Sequence, residues 1–379
     1  MPVDFAALLT AVRPKERTDQ YVIIAALFAK GAAGEDVSAR EITDLLKLHL
    51  RANAPKNVNG SLRKYSTYVS PIDDLSPLRW RLTEKGIDRL RALSGLSLST
   101  AEDAKLFDSD VGIICALEHP ELSAVIDAFG KRSDWRELED ARHTHVYRET
   151  KITTVNNHNL RVIATTSTSM GLTAAAIVST QLIMRYRPRL VVMTGIAAGT
   201  RSGGKKFGDI LVADPSIDYA SGKVIANKGI RDFQPDPYPI GLNPRVRSLL
   251  LKYRNAPDIF EEIRGKWKGP LPEGPNRVHV GPVGAADQVV DDASRMLEIV
   301  KNWRKLIGVE METYGVYRAV NESPEPKPRV VSFKSVCDFA AEKSDSWQAY
   351  AAFTAATFAY EFIRREWEAL WPEYGKGEK

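Results

Sequence analysis

The nine residues Leu306–Tyr314 read L-I-G-V-E-M-E-T-Y. The run Leu306–Val309 is apolar apart from one glycine, which predicts a buried β-strand. Glu310 and Glu312 follow it, and strand alternation would point both carboxylates to one face and Met311 to the other. If the chain instead turns into a helix here, these side chains point to different faces. Carboxylates beside a core cost free energy unless they have partners. The stretch therefore indicates either acids that leave the core or cap a helix, or the edge of a binding site.

The composition is that of an ordinary globular protein. The 379 residues are 44% hydrophobic and 27% charged, and this length suggests two domains. No apolar run approaches the ~20 residues of a membrane span, and the first residues do not have the pattern of a signal peptide. Cys115 and Cys337 lie in apolar runs, which fits a reducing compartment. We therefore expect a soluble, cytoplasmic protein.

The sequence does not have the spacing of a metal or dinucleotide site. Its two cysteines and six histidines are scattered, and the closest pair, His143 and His145, lies in a polar stretch typical of a strand surface. The glycines of Gly195–Gly199 follow a buried strand but do not form G-x-G-x-x-G. We therefore expect neither a metal nor a cofactor. The small residues of Gly195–Gly199 either let the backbone approach a ligand closely or simply form a tight turn.

Residues 1–96 are expected to form a small helical domain. Ser38 and Glu41 have the S-x-x-E spacing of a capping box, and Thr83 is expected to cap the last helix. Helices are predicted over residues 18–30, 38–50, 57–65 and 84–93, with a strand over residues 78–82. This order, together with R-W-R-L-T-E-K-G-I-D-R-L at Arg79–Leu90, resembles a winged-helix domain.

The winged-helix resemblance implies DNA binding, with Lys56, Arg63 and Lys64 near the groove. Residues 1–95 hold 15 Lys and Arg against 11 Asp and Glu, so they carry +4 of the chain's net charge of +5. This mild excess permits nucleic-acid binding without requiring it. The alternative is a protein–protein or dimerisation module that kept the fold.

Residues 97–109 are polar and acidic and are interpreted as a linker to a larger domain over residues 110–370. Continuous apolar runs there predict strands buried on both faces, and Ala-rich stretches predict helices between them. The predicted strands cover residues 111–117, 145–154, 160–166, 189–194, 208–214, 277–283, 306–312 and 330–336. The predicted helices include residues 173–186, 244–253 and 350–367.

Five segments in fixed order resemble the purine nucleoside phosphorylase/nucleosidase superfamily, in particular its methylthioadenosine/adenosylhomocysteine nucleosidases. They are the first strand with its acidic turn (111–121), S-M-G with an Ala-rich helix (169–186), T-G-I-A-A-G to G-D-I-L-V-A-D (194–214), V-E-M-E (309–312), and S-V-C-D with the last helix (335–367). The resemblance spans about residues 110–366. It implies a mixed central β-sheet flanked by helices, cleavage of a purine N-glycosidic bond, and a homo-oligomer.

The resemblance also implies catalytic roles for Asp338, Glu121 and Glu312. Asp338 would protonate or hydrogen-bond the purine at N7, Glu121 would activate water, and Glu312 would bind the ribose hydroxyls. Carboxylates suit an oxocarbenium-like ribose, and a proton donor suits the departing base. Glu118 is the fallback for Glu121. A carboxylate at this place repels phosphate, so hydrolysis is favoured over phosphorolysis.

The remaining implied contacts surround the substrate. Met311 would pack on the sugar, Glu310 would support Glu312, and the backbone of Val289 and Val290 would contact the purine. Lys334 stands where the nucleosidases have arginine, and Cys337 where they have serine, which indicates a divergent member. Pocket-lining positions are expected at Met170, Gly171, Ala197 and Ala198.

Two alternatives concern substrate and function. A nucleosidase-like domain fused to a helical module is reminiscent of bacterial defence and signalling effectors, for which the substrate would be a nucleotide such as ATP. Arg201, Lys205 and Lys206 would then meet a 5′-phosphate, or else they form a solvated basic loop. The second alternative is a purine-sensing, DNA-binding regulator without catalysis.

Overall fold

The computed structural model describes residues 5–12, 17–31, 36–72, 78–94, 107–138, 144–201, 203–227, 230–236, 238–340 and 345–372. Their contacts divide the chain into two compact units, one within the described residues up to Ser94 and the other over Phe107–Trp371. The predicted linker over residues 97–109 falls mostly outside the described residues. No described helix is both long and apolar enough to cross a membrane.

The first unit is a helical module with a small antiparallel sheet. Its elements are α1 (Phe5–Ala11), α2 (Asp19–Gly31), β1 (Val37–Ser38), α3 (Ala39–Leu50), α4 (Val58–Lys64), β2 (Val69–Ile72), β3 (Arg79–Leu82) and α5 (Glu84–Ser94). The strands are ordered β1-β3-β2. The four helices and the strand predicted for this unit are observed at nearly the predicted bounds, and the winged-helix assignment stays a prediction.

Local capping explains two of these helix starts. The Ser38 hydroxyl accepts from the amide of Glu41, and the Glu41 carboxylate accepts from the amide of Ser38, so the predicted capping box is confirmed. The Thr83 hydroxyl accepts from the amide of Gly86, as expected for the cap of α5. The apolar helix α2 is buried continuously from Tyr21 to Phe28 and forms the centre of this unit's core.

The second unit is built on a nine-stranded mixed sheet of order β13-β12-β9-β14-β8-β4-β7-β6-β5. Its strands are β4 (Ser109–Cys115), β5 (Arg136–Leu138), β6 (Tyr147–Thr153), β7 (Asn159–Thr166), β8 (Pro188–Gly199), β9 (Ile210–Asp218), β12 (Val278–Ala285), β13 (Gly308–Glu310) and β14 (Arg329–Asp338). A separate hairpin pairs β10 (Gly222–Asn227) with β11 (Ile230–Pro235). The predicted mixed sheet is confirmed.

Helices flank this sheet. They are α6 (Ser123–Ala128), α7 (Leu172–Tyr186), α8 (Pro244–Leu251), α9 (Pro257–Lys266), α10 (Ala293–Asn302), α11 (Thr313–Asn321) and α12 (Gln348–Leu370). The helix α12 packs on β8 and β14, with Phe358 and Phe362 against Phe333 of β14. The helices α7 and α11 pack on each other. Burial of these aromatic and aliphatic faces supplies the main stabilisation of the layers.

The sheet closes on itself at β13. This short strand is parallel to β12 and antiparallel to β8, where Gly308 pairs with Gly199 and Val309 with Ala198. A Cβ at Gly308 would lie 2.7 Å from the carbonyl oxygen of Ala198, so only glycine permits this approach. The strands β8, β14, β9, β12 and β13 therefore form a closed circuit.

The structure decides between the two alternatives for Gly195–Gly199 and shortens the strand predicted over residues 306–312. The strand β8 continues through Gly199, so the segment Gly195–Gly199 is not a tight turn. Its small residues let β13 approach instead. The strand β13 ends at Glu310, and Glu312 has φ −129° and ψ −34° at the start of α11. Strand alternation therefore does not set the directions of Met311 and Glu312, because the chain turns into a helix there.

Candidate active site

A cavity of about 340 Å³ lies where β4, β8, β13 and β14 end. Ten of the twelve predicted site residues line it: Glu121, Met170, Ala197, Ala198, Val289, Val290, Glu310, Met311, Glu312 and Asp338. The other two predicted residues, Gly171 and Lys334, contact a lining carboxylate instead. The prediction did not include Ala116, Leu117, Ile196, Gln288, Val309 and Gln348, which also line the cavity. Ala116 and Leu117 follow β4, while Ile196, Gln288 and Val309 are each next to a predicted residue, so position along the chain was the only signal for these five. Gln348 starts α12 and had no such signal.

Glu121 is 2% exposed and is held by the backbone. Its Oε2 accepts from the amides of Ala116 (2.7 Å) and Leu117 (3.0 Å), and its Oε1 accepts from the amide of Ile196 (2.9 Å). These bonds tie the turn after β4 to the neighbouring strand β8. Burial raises the pKa of Glu121, and the Lys334 ammonium opposes this shift.

The glycine at position 195 makes room for this carboxylate. A Cβ there would lie 2.1 Å from Glu121 Oε1. The fallback residue, Glu118, is placed differently: its side chain is 59% exposed and forms an ion pair with Arg148 at 2.9 Å. The structure therefore brings Glu121, and not Glu118, to the cavity.

Glu312 is 4% exposed and lies between a backbone amide and a cation. Its Oε1 accepts from the amide of Gly171 (3.2 Å), and its Oε2 accepts from Lys334 Nζ (3.0 Å). Gly171 has φ +113°, a conformation that strongly favours glycine. This arrangement holds the carboxylate at the cavity wall between α7 and β14.

Lys334 lies beneath the cavity floor, with its side chain 1% exposed. Its Nζ is 3.0 Å from Glu312, 3.5 Å from Glu310 and 4.0 Å from Glu121. Burial by itself would lower the pKa of Lys334, but the three carboxylates outweigh burial and raise that pKa. Lys334 therefore stays charged and partly neutralises the acidic cluster.

Glu310 supports the turn into α11. Its carboxylate accepts from the amides of Glu312 (3.0 Å) and Thr313 (2.9 Å), which are among the first amides of that helix. Burial raises the pKa of Glu310, against the opposing effect of Lys334. Glu310 therefore both caps the start of α11 and lines the cavity.

Asp338 ends β14, is half-buried and lines the cavity. Its Oδ1 accepts from the amide of Ala340 (2.7 Å), and its Oδ2 lies 3.3 Å from the Cys337 thiol. The same thiol lies 3.6 Å from the carbonyl oxygen of Ala197. The carboxyl group is therefore fixed by its own turn while one side faces the cavity.

The remaining wall is largely apolar and open to solvent. Val289 is 58% exposed and Met170 is 51% exposed, although both line the cavity. The basic loop residues Arg201 and Lys205 are not among the described lining residues. Arg201 lies over the Phe339 ring (5.5 Å to its centroid), and Lys205 Nζ donates to the Thr200 hydroxyl (3.0 Å). The cavity thus pairs an acidic floor with an apolar rim.

The sequence is similar to known proteins over much of its length. Over 373 residues, the chain is 28% identical to the uncharacterized protein y4jS of Sinorhizobium fredii, covering 93% of this chain and 89% of y4jS. It is 24% identical to the ATP nucleosidase Cap17 of Escherichia coli over 297 residues, or 74% of this chain and 57% of Cap17. The match thus spans little more than half the length of Cap17.

A solved structure shares the fold of the second unit. The 5′-methylthioadenosine/S-adenosylhomocysteine nucleosidase of Helicobacter pylori superposes with a TM-score of 0.52 at 21% identity, over 68% of this chain and 98% of that one. The family model of the phosphorylase superfamily matches residues 110–361, which contain every strand of the nine-stranded sheet except the first residue of β4. With most of its length matched and its fold shared, the chain belongs to the phosphorylase superfamily.

Proposed function

We propose that this chain is a purine nucleosidase that hydrolyses the N-glycosidic bond between a purine base and ribose. The observation that carries this proposal is that Glu121, Glu312 and Asp338, from three separate segments, line one cavity with an apolar rim. An apolar slot suits a purine ring, and carboxylates suit a ribose that develops positive charge. Relatives named as nucleosidases of ATP and of methylthioadenosine or adenosylhomocysteine support the same reaction class.

The proposed reaction assigns one task to each carboxyl group. Water attacks C1′ of the ribose, and Glu121 takes a proton from that water. The bond between C1′ and the base nitrogen breaks, its electron pair leaves with the base, and Asp338 supplies a proton to N7. Because burial raises the pKa of Glu121, this carboxylate is a stronger base than an exposed glutamate.

Glu312 and Met311 would bind the sugar. Glu312 already holds Gly171 and Lys334 through one oxygen each, so its position is set before a ribose hydroxyl arrives. Glu310 would affect ribose binding only indirectly. Its carboxylate accepts hydrogen bonds from the amides of Glu312 and Thr313 and so holds the backbone there. The backbone of Val289 and Val290 would contact the purine from the open rim.

The charge of the cavity bears on the substrate and the reaction. The described lining residues include four carboxyl groups, from Glu121, Glu310, Glu312 and Asp338, and no lysine or arginine. Lys334 beneath the lining offsets part of this negative charge, and the remainder repels inorganic phosphate and the phosphates of a nucleotide alike. It favours water as the nucleophile, and it favours a nucleoside with an uncharged 5′ group over ATP.

Base release tests this proposal directly. The full chain is incubated with adenosine, methylthioadenosine or ATP, in buffer with and without phosphate, and adenine is measured by chromatography. We expect adenine without phosphate, and a loss of about 10²–10⁴-fold in Asp338→Asn. Asp127→Asn, which removes an exposed carboxylate on α6, is the matched control.

Three outcomes would revise the proposal. Absence of adenine from all three substrates, with Asp338→Asn behaving like the wild type, would overturn it. Cleavage that requires phosphate and yields ribose 1-phosphate would make the chain a phosphorylase. Faster turnover of ATP than of adenosine would assign a nucleotide substrate and direct attention to Arg201, Lys205 and Lys206, with a defence or signalling role as the corresponding proposal.

The first unit is proposed to bind DNA or a protein partner. Lys56, Arg63 and Lys64 are all exposed, and the last two lie in the final turn of α4. A phosphate-binding face predicts an affinity for duplex DNA that falls with salt. Gel retardation of a random duplex at low salt tests this, with Arg63→Glu combined with Lys64→Glu as the variant. Absence of retardation by the wild type would leave the protein-partner interpretation.

A homo-oligomer is proposed for the whole chain. Ile177 and Met184 lie on one face of α7 and are 50% and 62% exposed. Two exposed apolar side chains spaced seven residues apart form the kind of stripe that packs against another helix.

A further inference from the structure

The start of α7 joins the two halves of the cavity wall. The amide of Gly171 donates to Glu312 Oε1 (3.2 Å), and the next amide, of Leu172, donates to Asp287 Oδ1 (2.6 Å). Asp287 directly precedes Gln288, Val289 and Val290, which line the cavity on the side proposed to contact the purine. Two successive backbone amides therefore donate to two different carboxylates. One belongs to Glu312, proposed to bind the ribose, and the other to Asp287, next to the segment proposed to contact the purine.

We propose that Asp287 is a positioning residue that sets the place of Glu312 through Gly171 and Leu172, and so governs recognition of the ribose hydroxyls. This inference rests on the proposed nucleosidase function. Asp287 is not assigned a direct contact with the substrate. It acts by holding the backbone that donates to Glu312.

The fit around this junction leaves little freedom for the backbone. A Cβ at Gly171 would lie 2.4 Å from Asp287 Oδ1, so the carboxylate is packed against the glycine as well as bonded to the next residue. On the other side, a Cβ at Gly315 of α11 would lie 2.2 Å from the Leu172 carbonyl oxygen. Leu172 is thus held at its amide by Asp287 and is closely packed at its carbonyl against α11, the helix that begins directly after Glu312.

A capping role alone is the competing explanation. Asp287 is exposed and accepts a hydrogen bond from the amide of Leu172, the first residue of the fifteen-residue helix α7. A carboxylate at this end of a helix also interacts favourably with the helix dipole. Loss of a cap lowers stability but treats all substrates alike. A positioning role instead changes the discrimination between substrates that have and lack the hydroxyl bound by Glu312.

The test compares Asp287→Ala and Asp287→Asn with the wild type on adenosine, 2′-deoxyadenosine and 3′-deoxyadenosine, using kcat/KM for adenine release by the full chain. We expect Asp287→Ala to lower kcat/KM for adenosine by about tenfold to a hundredfold, the range for a lost hydrogen bond to a charged group. One of the two deoxy analogues lacks the hydroxyl that Glu312 binds, and kcat/KM for that analogue should fall much less. The ratio of kcat/KM for adenosine to kcat/KM for that analogue should therefore decrease about tenfold. The glycosidic bonds of the three substrates differ in intrinsic reactivity. This difference cancels, because the same ratio of kcat/KM values is compared between the variant and the wild type.

Asp287→Asn is the conservative variant, since its amide oxygen can still accept from Leu172. It should recover most of the preference for adenosine. If Asp287→Ala does not fold, Asp287→Asn provides the measurement instead. In a Glu312→Gln background, Asp287→Ala should change the substrate preference no further. Asp127→Asn again controls for the loss of one exposed carboxylate.

Equal losses on all three substrates, with the preference for adenosine unchanged, would overturn the positioning role and leave a cap. Wild-type protein that releases no adenine from any substrate would instead refute the proposed function itself. The two failures are therefore distinguishable within one experiment.

Discussion

Lys334 Nζ lies 3.0 Å from Glu312 Oε2, and both side chains are almost wholly buried, at 1% and 5% exposure. Glu121 and Glu310 lie within 4.0 Å of the same ammonium group. One buried cation thus faces three buried carboxylates from two segments: Glu121 in the turn after β4, and Glu310 and Glu312 where β13 leads into α11. Its removal would leave three buried carboxylates without a compensating charge.

Lys334→Met should therefore destabilise the protein strongly. Breaking a buried ion pair by removing one partner costs about 3–5 kcal/mol, because the other charge stays buried and unpaired. Lys334→Arg keeps the charge and is the matched control, with an expected smaller loss from the bulkier guanidinium. Urea unfolding at neutral pH measures both. A Lys334→Met variant as stable as Lys334→Arg would contradict the electrostatic role.

The stability of the protein should depend on pH through Glu310. Burial raises the pKa of this carboxyl in the folded state, so its favourable contribution is complete below the unfolded pKa of about 4.3 and declines as pH rises through the folded pKa. Glu310→Gln cannot ionise. The free energy of unfolding of the wild type minus that of Glu310→Gln should therefore decrease as pH rises from about 4 toward neutrality. A difference that stays constant, or grows with pH, would argue against a raised pKa.

Gly195→Ala should mimic the loss of Glu121. The new methyl group would lie 2.1 Å from Glu121 Oε1, so the carboxylate must move away from the amide of Ile196. We expect adenine release to fall about 10²-fold or more, as for loss of a general base, with about 1–3 kcal/mol of destabilisation from overpacking.

Gly265→Ala is the control for this variant. Gly265 lies in α9, and a Cβ there meets no atom within 4 Å. Alanine should leave activity unchanged and should stabilise the protein by about 0.5–1 kcal/mol, because it is the better helix former. Thermal melting and steady-state adenine release measure both variants. Full activity in Gly195→Ala would show that the position of Glu121 does not limit catalysis.

The proposed homo-oligomer should depend on the exposed face of α7. Ile177→Glu or Met184→Glu should shift the mass measured by size-exclusion chromatography with light scattering to that of one chain. Each residue is at least half exposed, so the change is not expected to disturb the core. Val224→Glu, at an exposed apolar residue of β10, is the control. An unchanged mass in both α7 variants would place any interface elsewhere.

Much of the architecture was predictable because it is encoded locally. Continuous apolar runs identified the long strands β4, β7, β8 and β14, and the S-x-x-E spacing identified the start of α3. Where the sequence has few continuous apolar runs, helices and strands were not predicted. The hairpin β10–β11 and helix α9 lie in the Pro- and charge-rich residues 222–277, where side-chain pattern did not reveal them.

The site was predictable for a different reason. The ordered motifs resemble a known superfamily, and ten of the twelve residues carried over from that resemblance line one cavity. Their catalytic roles remain predictions. Gln288 and Gln348 were missed because each carries no charge and has no motif that distinguishes it from a surface residue.

The stretch Leu306–Tyr314 separates what each level decided. The amino-acid sequence by itself determined which residues carry charge there and that an apolar run precedes them. Only the tertiary structure decided that Gly308 closes the sheet against Ala198, and that Glu310 and Glu312 meet a lysine more than twenty residues later in the chain. The physical reason is that strand propensity and capping depend on neighbours in sequence. Strand pairing and the pairing of buried charges depend on which distant segments the fold brings within a few ångströms.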